Sequence, residues 1–172
     1  MVPPCVVASK LATPKGCSLD PFAQTRFQGN TLSQQIDPRG PRFGAAITTV
    51  VLAVSLVVAP SALATTLITI QTVVFALGAF IGLQAQPYGK IFAKFIRPRL
   101  SAPTELEDVA PPQFAQLVGF GFALVAWVAL LAGATAVAQV AIGFALVAAF
   151  LNAAFGFCLG CEMYLIGKRI FS

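Results

Sequence analysis

Hydrophobic residues along this chain fall into four long blocks that contain almost no charge. The blocks cover residues 43–59, 62–83, 114–136 and 138–165, and Glu162 is the only charged residue inside them. Each block has close to the roughly 20 residues that a helix needs to cross the hydrocarbon core of a bilayer. The pattern therefore predicts an all-α fold, a four-transmembrane-helix bundle.

The breaks between the blocks set the order of the helices. Pro60 and Ser61 separate the first two blocks, residues 133–135 lie at the end of the third block, and both positions are typical of tight turns. A longer polar segment, 84–113, joins the second block to the third. The blocks therefore pair into two helical hairpins. A faint similarity between the hairpins fits a weak parallel repeat, although apolar hairpins resemble one another by composition alone.

Composition agrees with lipid as the solvent of this chain. Hydrophobic residues make up 58% of it and charged residues only 10%, whereas a soluble domain has about a quarter charged residues. All 11 Lys and Arg residues lie before the first block, between the second and third, or after the fourth. Basic residues collect in cytoplasmic loops, so we expect both termini on the cytoplasmic side. Because these residues form no dense patch with interleaved aromatic residues, no nucleic acid partner is expected.

Two polar segments lie outside the predicted spans. Residues 1–36 contain prolines and no periodic apolar face, which predicts a disordered cytoplasmic tail. Within 84–113, residues 90–97 have the spacing of a short basic amphipathic helix. An extension of the second helix into solvent fits the same pattern. If the segment lies on the membrane, four basic residues are expected to contact lipid headgroups: Lys90, Lys94, Arg97 and Arg99.

The end of the fourth block has the only residue combination that suggests chemistry. The chain has no histidine, so catalytic and metal sites that depend on histidine are excluded. In a continuous helix, Cys158, Cys161 and Glu162 share one side near the C-terminal end. The opposite side would then form a small-residue packing face: Asn152, Gly156 and Gly160.

Several roles for this cysteine pair remain open. A Cys-x-x-Cys pair can cycle between dithiol and disulfide, but a helix C-terminus and a neighbouring carboxylate both disfavour the thiolate. Three possible ligands are too few for structural zinc, so neither a metal nor a cofactor is predicted. The cysteines are equally consistent with inert packing residues. At a cytoplasmic boundary thiols are kept reduced, so a static disulfide is not expected.

An ordered set of motifs resembles a known family. The chain has DPRGPRF at 37–43, QPY at 86–88, RPRL at 97–100 and FCLGCEMY at 157–164. Together they are similar to the bacterial, mainly actinobacterial, membrane family catalogued as domain of unknown function 4395, over about residues 36–170. The resemblance implies the bacterial inner (plasma) membrane, in a family without a settled activity. It also implies a thioredoxin-like protein or sulfurtransferase as cytoplasmic partner, because such proteins are often encoded beside members of the family.

The leading hypothesis is therefore a membrane partner in thiol, disulfide or sulfur metabolism. In it, Cys158 and Cys161 are the redox pair and Glu162 carries protons. One alternative is a non-catalytic membrane scaffold or assembly subunit, and another is a small-solute transporter. Enzymatic activity is not assigned. Four short helices bury little surface between them, which also leaves room for a homodimer.

Overall fold

The structure, a computed structural model, describes residues 35–101, 103 and 106–171. The predicted disordered tail over 1–36 therefore lies outside the described residues, except for its last two positions. Those two form strand β1 (Gln35–Ile36), which pairs antiparallel with β2 (Glu107–Asp108). The prediction is corrected there, because backbone pairing holds these two residues against the segment that precedes the third span.

Four of the helices are long and apolar enough to cross a membrane, which confirms the predicted four-helix fold. The α-helices of the described residues are α1 (Arg39–Val58), α2 (Ala62–Ala76), α3 (Pro87–Ile91), α4 (Ala110–Leu131), α5 (Thr135–Phe155) and α6 (Leu159–Phe171). α2 continues without a break into a π-helical segment, Leu77–Ile81, and α3 continues into Phe92–Ile96, also π-helical, and then Arg97–Arg99. The candidate spans are α1, α2 with its π-helical extension, α4 and α5.

Both predicted tight turns are present. Ala59 has extended backbone and ends α1, and the Ser61 side chain accepts a hydrogen bond from the Ala64 backbone N–H at 3.3 Å, which caps the start of α2. Between α4 and α5 the chain reverses at Gly133, whose φ of 75° suits a residue without a Cβ. The long helices therefore form two hairpins, α1–α2 and α4–α5.

The hairpins pack side by side into a closed bundle. α1 contacts α2 and α5, and α4 contacts the same two helices. The core consists of Leu52, Ile68 and Ile142 together with alanines of α4 and α5; these small residues allow helices to approach closely. Large apolar side chains cover the outside, among them Val57, which is 83% exposed. Such an apolar outer surface suits a bundle surrounded by lipid.

The charged residues lie toward one end of the bundle. The charged residues of the described chain lie at or just before the first turn of α1, between α2 and α4, or in α6. The two turns at the other end, 59–61 and 132–134, contain none. The bundle therefore has one charged end and one uncharged end.

The predicted fourth span needs a correction. The expected continuous helix over 138–165 ends at Phe155, and a separate helix, α6, begins at Leu159. Gly156 adopts a left-handed φ of 69°, and its N–H donates to the carbonyl of Asn152 at 3.1 Å, which caps α5. The hydrophobic run continues through Phe157, so hydrophobicity alone did not mark the break.

Helix α6 crosses the beginning of α4 at the charged end. The Tyr164 and Phe114 rings are 5.8 Å apart between centroids. A Cβ on Gly160 would lie only 2.5 Å from the Cα of Ala115. Lys168 and Arg169 occupy the last turn of α6, where positive charge interacts favourably with the helix dipole.

Candidate functional site

The two cysteines lie at the N-terminus of α6. The Cys158 carbonyl accepts a hydrogen bond from the Glu162 N–H at 3.0 Å, the first bond of that helix. The Cys158 Sγ accepts a second bond, from the Cys161 N–H at 3.3 Å. Cys158 therefore has the position and role of an N-cap residue. The expectation that the pair approaches a helix C-terminus is wrong, because the break at Gly156 starts a new helix.

This position reverses the electrostatic argument from the sequence. Cys158 and Cys161 form a disulfide, with Cα atoms 5.2 Å apart and both side chains half-buried. The disulfide was not expected from the sequence. When the bond is reduced, the N-terminal dipole of α6 and the Cys161 N–H both favour a thiolate at Cys158. Soluble redox proteins obtain reactive thiolates from the same arrangement.

Glu162 lies in the first turn of α6, and its side chain is exposed. A carboxylate there interacts favourably with the positive end of the helix dipole. The residue is therefore next to the disulfide in sequence and open to the surroundings.

A cleft of ≈ 280 Å³ begins at Cys158 and extends into the bundle between α1, α4 and α5. Its wall is mostly apolar. Cys161 is not part of the lining, so Cys158 is the cysteine that faces this space. Lining residues that matter below are Thr48, Gln116, Phe122, Phe144, Asn152 and Cys158.

The three predicted packing residues do not form one helix face. Asn152 is on α5 and lines the cleft, Gly156 is in the turn after α5, and Gly160 is on α6. Gly160 does allow close packing, but its contact is Ala115 in the same chain. The predicted face is corrected, since it required a continuous helix.

The four basic residues predicted to contact headgroups are exposed: Lys90, Lys94, Arg97 and Arg99. Their helix differs from the expectation, because the π-helical turn changes the spacing of its faces. Phe92 is 5% exposed and packs on Phe43, whereas Phe95 is 55% exposed, with the Lys94 Nζ 5.6 Å from the centre of its ring. Contact with lipid headgroups stays a prediction.

Sequence reasoning missed a set of buried glutamine contacts beside the first hairpin. The Gln86 side-chain amide donates to the Val74 carbonyl at 3.1 Å and to the Gln116 Oε1 at 2.8 Å. A Cβ on Gly78 would lie 2.7 Å from the amide carbon of Gln86, so the glycine makes room for this side chain. The sequence signal was a pair of glutamines, Gln84 and Gln86, between an apolar block and Pro87.

A second polar chain crosses the first hairpin. Gln71 is fully buried; its amide donates to the Thr48 Oγ1 at 3.3 Å, and its Oε1 accepts from the Tyr88 hydroxyl at 3.1 Å. Burial raises the pKa of the Tyr88 phenol above its usual value, which keeps the hydroxyl available as a donor. Each polar group of the Gln71 side chain therefore has a partner within the bundle.

Comparison with known proteins gives one match. The model of a family described as Domain of unknown function (DUF4395) matches residues 36–169. No curated protein and no solved structure matches the chain.

Proposed function

The chain belongs to that family, and from the geometry of its cysteine turn we propose that it is a membrane-bound dithiol–disulfide protein. The observation that carries this proposal is the 3.3 Å hydrogen bond from the Cys161 N–H to the Cys158 Sγ at the N-terminus of α6. A merely structural disulfide needs no such bond. A thiolate that forms and disappears during turnover is stabilised by it.

The reaction is a thiol–disulfide exchange. Two thiols of a partner protein lose two protons and two electrons and become a disulfide. The Cys158–Cys161 bond breaks, and the pair gains the same electrons and protons. The exposed Glu162 carboxylate, beside Cys161 in the chain, passes protons between the pair and solvent.

The side of the membrane follows from charge. Basic residues border the spans at the end where Cys158 lies, which supports a cytoplasmic location for that end and for both termini. The membrane is the inner (plasma) membrane of a bacterium. The partner is a thioredoxin-like protein or a sulfurtransferase, both of which offer reactive thiols. Four exposed basic residues at the same end bind anionic lipid: Lys90, Lys94, Arg97 and Arg99.

The two alternatives have less support. A scaffold would use the face of Gly156 and Gly160 and the basic loop to hold another protein, but Gly160 already packs on Ala115 within the chain. A transporter would need a polar lining through the spans, for which Gln71 and Asn152 are the candidates. Gln71 is instead fully buried and bonded to Thr48 and Tyr88.

Single-cysteine variants test the proposal. In a background with Cys5→Ser and Cys17→Ser, the Cys161→Ser variant keeps Cys158, and the Cys158→Ser variant keeps Cys161. We expect Cys158 to react about fivefold faster than Cys161 with a maleimide at neutral pH, because the helix N-terminus raises its thiolate fraction. Labelling is read by gel shift in intact membranes.

A second measurement asks whether the pair changes redox state. Cells are treated with or without a permeant reductant and quenched in acid, and free thiols are then counted in the Cys5→Ser, Cys17→Ser background. We expect the Cys158–Cys161 pair to open with reductant and to close again after its removal. A pair that never changes state, or two cysteines that label at equal rates, would contradict the proposal.

A further inference from the structure

The cleft that starts at Cys158 reaches far into the spans. The wall runs along α5 from Asn152 back to Phe144, which is eight helical steps or about 12 Å. Phe144 and Thr48 lie near the middle of α5 and α1. The cleft therefore connects the cysteine at the charged end with the depth of the hydrocarbon core.

The inner part of the cleft meets the lipid-facing surface. Phe122 of α4 and Phe144 of α5 belong to its wall, and their rings stack with centroids 5.9 Å apart. The same side chains are 37% and 62% exposed on the outside of the bundle. The inner end of the cleft therefore reaches the lipid-facing surface at these two rings.

The wall restricts what can bind. The cleft volume of ≈ 280 Å³ lies at the lower limit of ligand pockets, about 300 Å³. It fits a single ring system rather than a nucleotide or a flavin. Among the described residues that line it none is charged. The occupant is therefore small, neutral and largely apolar.

Two amides give this apolar wall a polar element. Asn152 lies about one turn before the end of α5, and Gln116 lies in the second turn of α4. The Oε1 of Gln116 already accepts from Gln86 at 2.8 Å, so its NH₂ group is the part that can donate to a ligand. Donors of this kind suit a carbonyl oxygen.

We propose that the cleft binds the ring of a lipid-soluble quinone, which accepts electrons from the Cys158–Cys161 dithiol. The inference rests on the proposed function, and it names the second substrate of the same site. A quinone is flat, neutral and membrane-soluble, has carbonyl oxygens for Asn152 and Gln116, and has an apolar tail that extends into lipid past Phe122 and Phe144.

The reaction balances without any further reactant. Both S–H bonds of the dithiol break, the S–S bond forms, and two electrons and two protons leave the pair. The quinone takes up both electrons, and each of its carbonyl oxygens becomes a hydroxyl of the hydroquinol. Electrons from a thiol partner at the charged end thereby reach the quinone pool of the bilayer.

The test uses the full chain in lipid nanodiscs, reduced and freed of reductant. The probe is a short-tailed, fully substituted benzoquinone, which has no free ring position to which a thiol can add. Quinone absorbance and free thiols are followed together. We expect one hydroquinol for each disulfide formed. A parallel sample receives a water-soluble aromatic disulfide as oxidant instead.

One variant fills the cleft, and a second variant outside the cleft is its matched control. Ala149→Phe fills the space from α5, while Ala154→Phe adds the same ring at an exposed position of α5 outside the lining. We expect Ala149→Phe to slow oxidation by quinone at least about tenfold, because a filled cavity excludes the ring. Oxidation of this variant by the soluble disulfide should stay within about twofold, since Cys158 remains in place.

A third variant keeps the proposal testable if Ala149→Phe does not fold. Asn152→Leu removes a hydrogen-bond donor at similar volume, and we expect the KM for quinone to rise about tenfold, the effect of one lost hydrogen bond. A wild-type protein that the soluble disulfide oxidises but the quinone does not would overturn the quinone site and leave the proposed function intact. If neither oxidant acts, the proposed function itself fails. Quinone reduction at the wild-type rate in both Ala149→Phe and Asn152→Leu would also overturn the site.

Discussion

The chain leaves each hairpin through a similar turn at the charged end, called an exit below: the first exit follows α2 and the second follows α5. The spaces beneath the two exits differ. After α2 the chain turns at Gly82, with φ of 120°, and soon enters the short helix α3. After α5 it turns at Gly156, with φ of 69°, and enters α6. Each exit therefore combines a glycine in a conformation that few other residues adopt with a new helix at the charged end.

The first exit has a buried, hydrogen-bonded side chain beneath it, and a cleft of ≈ 500 Å³ opens beside that side chain toward the start of α1. The Gln86 side chain occupies the space below it and makes two hydrogen bonds there. A Cβ on Gly89 would lie 2.7 Å from the Leu83 carbonyl oxygen, so α3 is held close to the preceding turn. The second exit has a disulfide at the helix start and an open cleft beneath it. The same kind of turn therefore supports buried hydrogen bonds after the first hairpin and a disulfide at the edge of a cleft after the second.

Disturbing the packing of α6 on α4 at the second exit should have the largest effect on stability. Gly160→Val places a branched side chain against the backbone of Ala115, and we expect a loss of about 3 kcal/mol in the free energy of unfolding. Gly167→Val on the same helix is the matched control, because nothing lies within 4 Å of a Cβ at that position. Unfolding is followed by denaturant titration in mixed micelles. Equal stability of the two variants would contradict the close α4–α6 contact.

Removing the polar side chain beneath the first exit should have a smaller effect on stability. Gln86→Leu leaves the Val74 carbonyl and the Gln116 Oε1 without their donor, and we expect a loss of about 2 kcal/mol. Gln84→Leu, at an exposed position of the same segment, is the control. Both variants are compared by the same titration. A loss no larger than that of the control would show that the glutamine contacts do not hold the first exit.

The four spans could be predicted because lipid demands long apolar blocks, and the turn at Gly133 interrupts them visibly. The break at Gly156 could not be predicted from hydrophobicity, since Phe157 and Leu159 continue the apolar run. The signals were a glycine followed by Cys158 as an N-cap residue, and the polar face of 159–171 with Lys168 and Arg169. The helical spacing of polar and apolar positions within 159–171, taken alone, predicts α6.

The candidate site could be predicted only in part. Cys158, Cys161 and Glu162 were identified by their spacing, but their electrostatic setting was reversed by a break of three residues, 156–158. The cleft and its amides depend on how α4, α5 and α6 pack, and no local pattern contains that information. Gln86 and Gln116 are 30 positions apart, and no local pattern pairs them.

Removing one hydroxyl beside the first exit should have the smallest effect. Tyr88→Phe deletes the bond to the Gln71 Oε1, and hydrogen bonds between membrane helices average about 0.6 kcal/mol. Burial raises the pKa of Tyr88 above its unfolded value, so its stabilising effect is complete below about pH 10 and is lost as the pH rises through the folded pKa. In alkaline titrations the wild type should therefore lose stability more steeply than Tyr88→Phe. Equal slopes for the two proteins above that pH would mean that the phenol is not held in the buried, hydrogen-bonded state beside the first exit.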